Sequence, residues 1–173
     1  MLQLILGGAR SGKSALAEQR AQALAGQQLI YIATGSAGDE EMQQRIALHR
    51  AQREQGDMSW LTIEEPLALA DALQEHNNAG SVILVDCLTL WLSNCLHHDC
   101  WKQQREALLS SLSALKADVL LVSNEVGSGI VPLGELSRRF ADESGWLHQA
   151  LARQCEQVTL VVAGLPLELK PQC

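Results

Sequence analysis

Leu2-Gln3-Leu4-Ile5-Leu6-Gly7-Gly8-Ala9-Arg10-Ser11-Gly12-Lys13-Ser14 opens the chain and decides its fold. The mostly apolar run 2–6 has strand length, and 14–24 follows as a helical pattern. Between them stands Gly7-x-x-x-x-Gly12-Lys13-Ser14, a glycine-rich loop in the strand-to-helix setting that turns a pattern into a mechanism. Its glycines let the backbone curl until successive N–H groups point inward at phosphate oxygens. Lys13 is placed to reach the β and γ phosphates, and the Ser14 hydroxyl to ligate Mg²⁺. The positive end of the helix dipole adds to the attraction. The loop therefore implies a nucleoside triphosphate, with Gly7, Gly8, Ala9, Arg10, Ser11, Gly12, Lys13 and Ser14 all at the phosphates.

Outward from this loop, apolar runs of strand length recur at 29–33, 82–86, 119–123 and 158–163. Their hydrophobicity is continuous rather than alternating, as parallel strands covered on both faces require. Helical patterns lie between them at 40–55, 66–75, 101–115 and 134–154, the last predicted to break near Gly145. The alternation predicts an α/β fold of the P-loop NTPase type (RecA-like). Its mostly parallel sheet carries helices on both faces, and ligands sit at the carboxyl ends of the strands. With 173 residues, no internal repeat and no linker composition, the expectation is a single domain over 1–173. Segments 55–57 and 76–80 read as surface turns.

Composition narrows the function. A net charge of -7 argues against a surface built to neutralise nucleic acid, so no nucleic-acid partner is expected. No apolar stretch approaches the ~20 residues of a membrane span. Met1 leads into the first strand with no basic region or cleavage site, so no secretory signal is expected. The five cysteines, 87, 95, 100, 155 and 173, form no paired framework, which suits reduced thiols in a cytoplasm.

Val82-Ile83-Leu84-Val85-Asp86 is an apolar strand closed by an acid, as in a Walker B strand. Asp86 is accordingly assigned, with Ser14, to a magnesium ion, directly or through water, on a strand expected to neighbour the phosphate loop. The Asn-Lys-x-Asp and Asp-x-x-Gly motifs of switch GTPases do not appear in the expected places, and Lys116-Ala117-Asp118 lacks the preceding Asn.

The pattern 40–55 places Met42, Ile46, His49 and Arg53 on one helical stripe, with Arg45, Arg50 and Arg53 around the imidazole. Neighbouring guanidinium groups disfavour imidazolium, leaving the ring neutral and nucleophilic, and they could hold the phosphates of a nucleotide under attack. Such a histidine can carry a nucleotidyl group and divide one transfer into two steps. An ordinary surface helix with an incidental histidine fits the same residues.

Cys95-Leu96-His97-His98-Asp99-Cys100 gathers four soft-metal ligands, yet no second pair exists elsewhere, and it reads as a helix end entering a loop. Asn124-Glu125-Val126-Gly127 should emerge at the carboxyl edge, either as a loop that orders around a ligand or as a strand-ending turn. Cys87 reads as packing, since no basic partner is visible for it.

Several of these segments together resemble the bifunctional adenosylcobinamide kinase/adenosylcobinamide-phosphate guanylyltransferase family of cobalamin nucleotide-loop assembly. They are the phosphate loop, Tyr31-Ile32-Ala33-Thr34, Arg45-Ile46-Ala47-Leu48-His49-Arg50, Asp86-Cys87-Leu88-Thr89-Leu90-Trp91, Asn124-Glu125-Val126-Gly127-Ser128-Gly129-Ile130-Val131-Pro132 and Val161-Val162-Ala163-Gly164-Leu165-Pro166. The resemblance implies phosphorylation of adenosylcobinamide by ATP or GTP. It further implies transfer of GMP from GTP, through a guanylylated histidine, to adenosylcobinamide phosphate, giving adenosylcobinamide-GDP. The histidine falls on His49, with Lys13 serving the phosphoryl transfer. Guanine-nucleotide contacts carry over onto Ala33, Thr34, Gly35, Arg50, Ala51, Gln52, Arg53, Glu64 and Asp86. A small-molecule corrinoid substrate and a homotrimer are also implied. Two positions depart from the family pattern: His148 stands where Asn is usual, and Trp146 where a basic residue is common.

Overall fold

The computed structural model describes residues 1–24, 28–35 and 59–171. The predicted helix 40–55, with His49, and the predicted turn 55–57 lie outside the described residues. Among the described residues seven strands form one sheet: β1 (Leu2–Gly7), β2 (Gln28–Ala33), β3 (Trp60–Glu64), β4 (Ser81–Asp86), β5 (Asp118–Asn124), β6 (Gln157–Val162) and β7 (Leu165–Lys170). Their order is β3-β2-β4-β5-β1-β6-β7, with every pair parallel except β6–β7. The described helices are α1 (Lys13–Leu24), α2 (Leu69–Glu75), α3 (Leu88–His97), α4 (Trp101–Ser111) and α5 (Glu135–Gln154).

The central strands read as continuous apolar runs because both faces are covered. Ile5, Leu84, Leu120 and Val122 pack under Ala17 and Ala21 of α1. Leu4, Ile32, Ile83 and Leu121 meet Leu73, Trp91, Leu108 and Leu147 from the helices of the opposite face. Each fully buried Leu or Ile contributes about 1.5–3 kcal/mol, so this double layer dominates the fold's stability. The two indoles of the second layer stack edge to face at 5.2 Å. Both satisfy their N–H as burial demands, Trp91 on the Leu67 carbonyl and Trp101 on Glu143.

Four expectations change. Strands β3 and β7 are additions at the two edges, and α3 is an added helix over the apolar run that follows Asp86. The predicted helix 101–115 stops at Ser111 and ends in a 3₁₀ turn, Leu112–Ala114. Helix α5 runs unbroken through Gly145, because its buried Ser144, Leu147 and Leu151 hold it to the sheet on either side of the glycine. The turn at 76–80 is as expected. It is tied down by Asn77, whose Oδ1 accepts the backbone N–H groups of Lys116 and Ala117.

Candidate active site

The phosphate loop is built by close packing at one end and left-handed backbone at the other. Glycine is required at position 7, where an added Cβ would lie 2.4 Å from Ser11 Oγ and 2.8 Å from the Val161 carbonyl oxygen. Arg10 and Gly12 take φ of 56° and 94°, which swings the loop around its centre. The loop is then pinned from outside: the Gly7 carbonyl accepts Glu125 N–H at 3.1 Å, and the Ser11 carbonyl accepts Gly164 N–H at 2.8 Å. Gly8, Ala9, Arg10 and Gly12 stay exposed, with open space above Gly8. Lys13 is 9% exposed and its Nζ donates to the Gly8 carbonyl at 3.2 Å, so the ammonium closes the cradle from below. Ser14 stands half-buried in the first turn of α1.

Asp86 ends β4, but β4 pairs with β2 and β5, not with β1. The expectation of an acid on the strand next to the loop is therefore corrected: β5 intervenes, and the neighbour's end is Asn124, opposite Gly7. Asp86 accepts a hydrogen bond from Tyr31 Oη at 3.2 Å. Ala33 pairs with Asp86 on one side and Glu64 on the other, which sets these three positions in one row along the carboxyl edge. Glu64 is exposed at the sheet margin. Thr34 is fully buried, and each of its polar groups is engaged. Its hydroxyl donates to the Cys87 carbonyl at 2.6 Å and accepts Cys87 N–H at 2.9 Å, and its carbonyl accepts Asn94 Nδ2 at 2.8 Å. Thr34 thus ties β2 to β4, and the half-buried Gly35 beside it offers the accessible backbone. His49, Arg50, Ala51, Gln52 and Arg53 lie outside the described residues.

A second polar chain crosses the same edge. Ser123 Oγ lies 2.8 Å from His148 Nε2 and 3.3 Å from Thr89 Oγ1, which accepts Asn124 N–H at 2.7 Å. Burial lowers the His148 pKa, against a smaller upward pull from the Glu125 carboxylate. The Glu125 side chain itself accepts Gly127 and Ser128 N–H, ordering the loop after β5. Sequence reasoning assigned no role to Tyr31, Thr89 or Ser123, because their partners lie 25 to 55 positions away. No group of three His, Cys, Asp or Glu side chains that could hold a metal ion occurs among the described residues. Burial, and then the neighbouring Cys100, push the Cys95 thiol up to about 12. Cys87 is likewise buried and its pKa raised, as packing requires.

A parallel sheet whose first strand curls through a glycine-rich cradle into a helix, with an acid closing a strand two places away, defines a phosphate-loop nucleotide-binding protein. A solved ATPase domain shares the fold, with a TM-score of 0.51 at 15% identity over 92% of this chain and 68% of that one. So does the flagellar accessory protein FlaH from Methanocaldococcus jannaschii, at 0.50 and 16% over 99% and 78%. Within that class the chain belongs to the cobinamide kinase / cobinamide phosphate guanyltransferase family, whose profile matches residues 3–169. It is 58% identical to the bifunctional adenosylcobalamin biosynthesis protein CobP of Pseudomonas aeruginosa, over 98% of both chains. It is 36% identical to the protein CobU of Escherichia coli, over 98% of this chain and all of that one. The chain is thus an enzyme of cobalamin biosynthesis, with the kinase and guanylyltransferase activities of its family and a corrinoid substrate. No described helix is long and apolar enough to cross a membrane.

Proposed function

We propose that this chain phosphorylates adenosylcobinamide with ATP or GTP at Gly7–Ser14. It then moves GMP from GTP through His49 to adenosylcobinamide phosphate. The observation that carries this reading is the cradle: exposed loop backbone over a buried Lys13, at the end of the parallel sheet where Ala33, Glu64 and Asp86 stand in register. In the kinase step the loop amides and Lys13 hold the β and γ phosphates, neutralising charge as the phosphoryl group passes to the acceptor hydroxyl. A hydroxyl at Ser14 and a carboxylate at Asp86 are hard oxygen donors of the kind Mg²⁺ prefers, and Ser11 Oγ is buried in the loop with no partner among the described residues. Ser14 and Asp86 would be the residues to hold the ion, which would supply charge screening to the phosphates.

In the second step a ring nitrogen of His49 attacks the α-phosphorus of GTP. The nitrogen–phosphorus bond forms as the α–β bridging bond breaks, and pyrophosphate leaves. A phosphate oxygen of the phosphorylated corrinoid then attacks the same phosphorus and frees the imidazole. Arg50 and Arg53 would hold the nucleotide phosphates, with Ala51, Gln52, Gly35 and Glu64 completing the guanine-nucleotide contacts, and Thr34 acting through Gly35. The same reading takes the 173 residues as one unit, assembled as a homotrimer in the cytoplasm.

The test is incubation with GTP labelled at the α-phosphate. Wild type should acquire an acid-labile, hydroxylamine-resistant label that chases into product on adding adenosylcobinamide phosphate. A His49→Ala variant that labels equally would remove His49 from the scheme, and no label on wild type would remove the covalent step.

A further inference from the structure

Helix α5 is longer than the sheet it covers. His148 meets Ser123 one residue before the end of β5. From there back to Glu135 the helix runs 13 residues, about 20 Å at 1.5 Å each. Its N-terminal turns therefore stand toward the carboxyl edge beside α3, with Phe140 still packed against the core. Between them lies a groove of about 640 Å³, walled by Leu96, Val126, Pro132, Leu136 and Phe140. Ser93, His97 and Ser137 are the polar groups at its wall. The loop between β5 and α5 adds Ile130 and Leu133, which are 98% and 97% exposed. Apolar residues this open, next to a groove, mark a surface meant to be covered.

We propose that this groove receives the corrin macrocycle of the acceptor, an assignment that rests on the kinase reading above. Three observations favour a corrin ring over the other occupants. The groove adjoins the phosphate loop along the chain, because its wall residue Val126 directly follows Asn124, which pairs with Gly7, and Glu125, whose N–H donates to the Gly7 carbonyl. A ring seated there can extend a side arm bearing a hydroxyl back to the γ-phosphate. Among the described residues the wall carries no Lys, Arg, Asp or Glu, so it offers the ring apolar contact rather than ion pairs and gives a nucleotide's phosphates nothing to hold. Hydroxyls and an imidazole beside an apolar wall match a macrocycle whose apolar body is fringed with amides. The volume lies within the range of small-molecule sites, so the groove takes one face and edge of the ring, leaving the rest for Ile130 and Leu133 to cover.

Leu136 and Ser137 are exposed, so substituting them leaves the core intact. In the full-length enzyme, Leu136→Lys and Ser137→Trp should each raise the KM for adenosylcobinamide about tenfold, one by placing a positive charge against the cationic cobalt corrin and the other by filling its space. The KM for GTP and the melting temperature should stay at wild-type values. An unchanged adenosylcobinamide KM in both variants overturns the assignment. A change in subunit number by light scattering with that KM unchanged identifies the groove as a subunit contact, and overturns it too. Failure of wild type to phosphorylate adenosylcobinamide at all would instead count against the kinase reading itself.

Discussion

His148 has its Nε2 2.8 Å from Ser123 Oγ, in a setting whose desolvation lowers its pKa from 6.5 despite the Glu125 charge. The native ring is therefore neutral at pH values where the unfolded chain already binds a proton. Stability must fall as pH drops through 6.5, and level off below the native pKa, where both states are protonated. Asn at this position can keep a hydrogen bond to Ser123 without titrating. Between pH 7.5 and 5.5 the urea midpoint of wild type should therefore fall further than that of His148→Asn, and parallel curves would refute the buried neutral imidazole. The same site shows what single residues disclose in sequence. Asp86 was legible because an apolar run ending in an acid is a local pattern. The link from His148 to Ser123 was not, since it depends on which helix turn reaches which strand end, a matter of packing rather than spacing.

The edge elements were the illegible ones, for a reason common to both. Strands β3 and β7 lack the unbroken apolar run of a doubly covered strand: β7 is exposed throughout and β3 exposed or half-buried. The β6–β7 hairpin turns through Ala163 and Gly164, at φ of 51° and 78°, the two left-handed positions of a type I′ turn. The turn's usual signature is Asn-Gly, and Ala in its place hides the hairpin from a reading of sequence. Helix α3 was missed differently, because its first turns are buried nearly all round and show no amphipathic period. A left-handed Ala costs about 1–2 kcal/mol, and Asn tolerates that region better. Ala163→Asn should therefore raise the melting temperature by about 2–4 °C in a chain of this size. Scanning calorimetry checks it, and a fall would mean that the methyl group is packed rather than strained. The turn also supports the loop through Gly164 N–H on the Ser11 carbonyl, so GTP affinity should not decline in the variant.

Six parallel strands deliver their carboxyl ends to one edge of the sheet. That much followed from the alternation of apolar runs and helical patterns, because right-handed crossovers leave a parallel sheet little topological choice. The order in which β5 separates β4 from β1 did not follow, since every central strand is equally apolar and any of them could have been the neighbour. Among the described residues one glycine-rich cradle is present, so we expect kinase and guanylyl transfer to draw on a single phosphate site. On the proposed scheme the cradle would have two tasks. It would neutralise the γ-phosphoryl group in the first reaction, and in the second it would grip the departing pyrophosphate while His49 attacks the α-phosphorus. Replacing Lys13 by Ala should then slow both phosphorylation of adenosylcobinamide and guanylylation of the protein, each by about 10²–10³-fold, the scale of one lost charge-stabilising donor. Replacing His49 by Ala should abolish only the second. Single-turnover rates for the two half-reactions in both variants decide the matter. Full guanylylation in Lys13→Ala would require a second nucleotide site, whereas parallel loss leaves one loop serving two chemistries, told apart by which nucleophile, hydroxyl or imidazole, reaches the bound triphosphate.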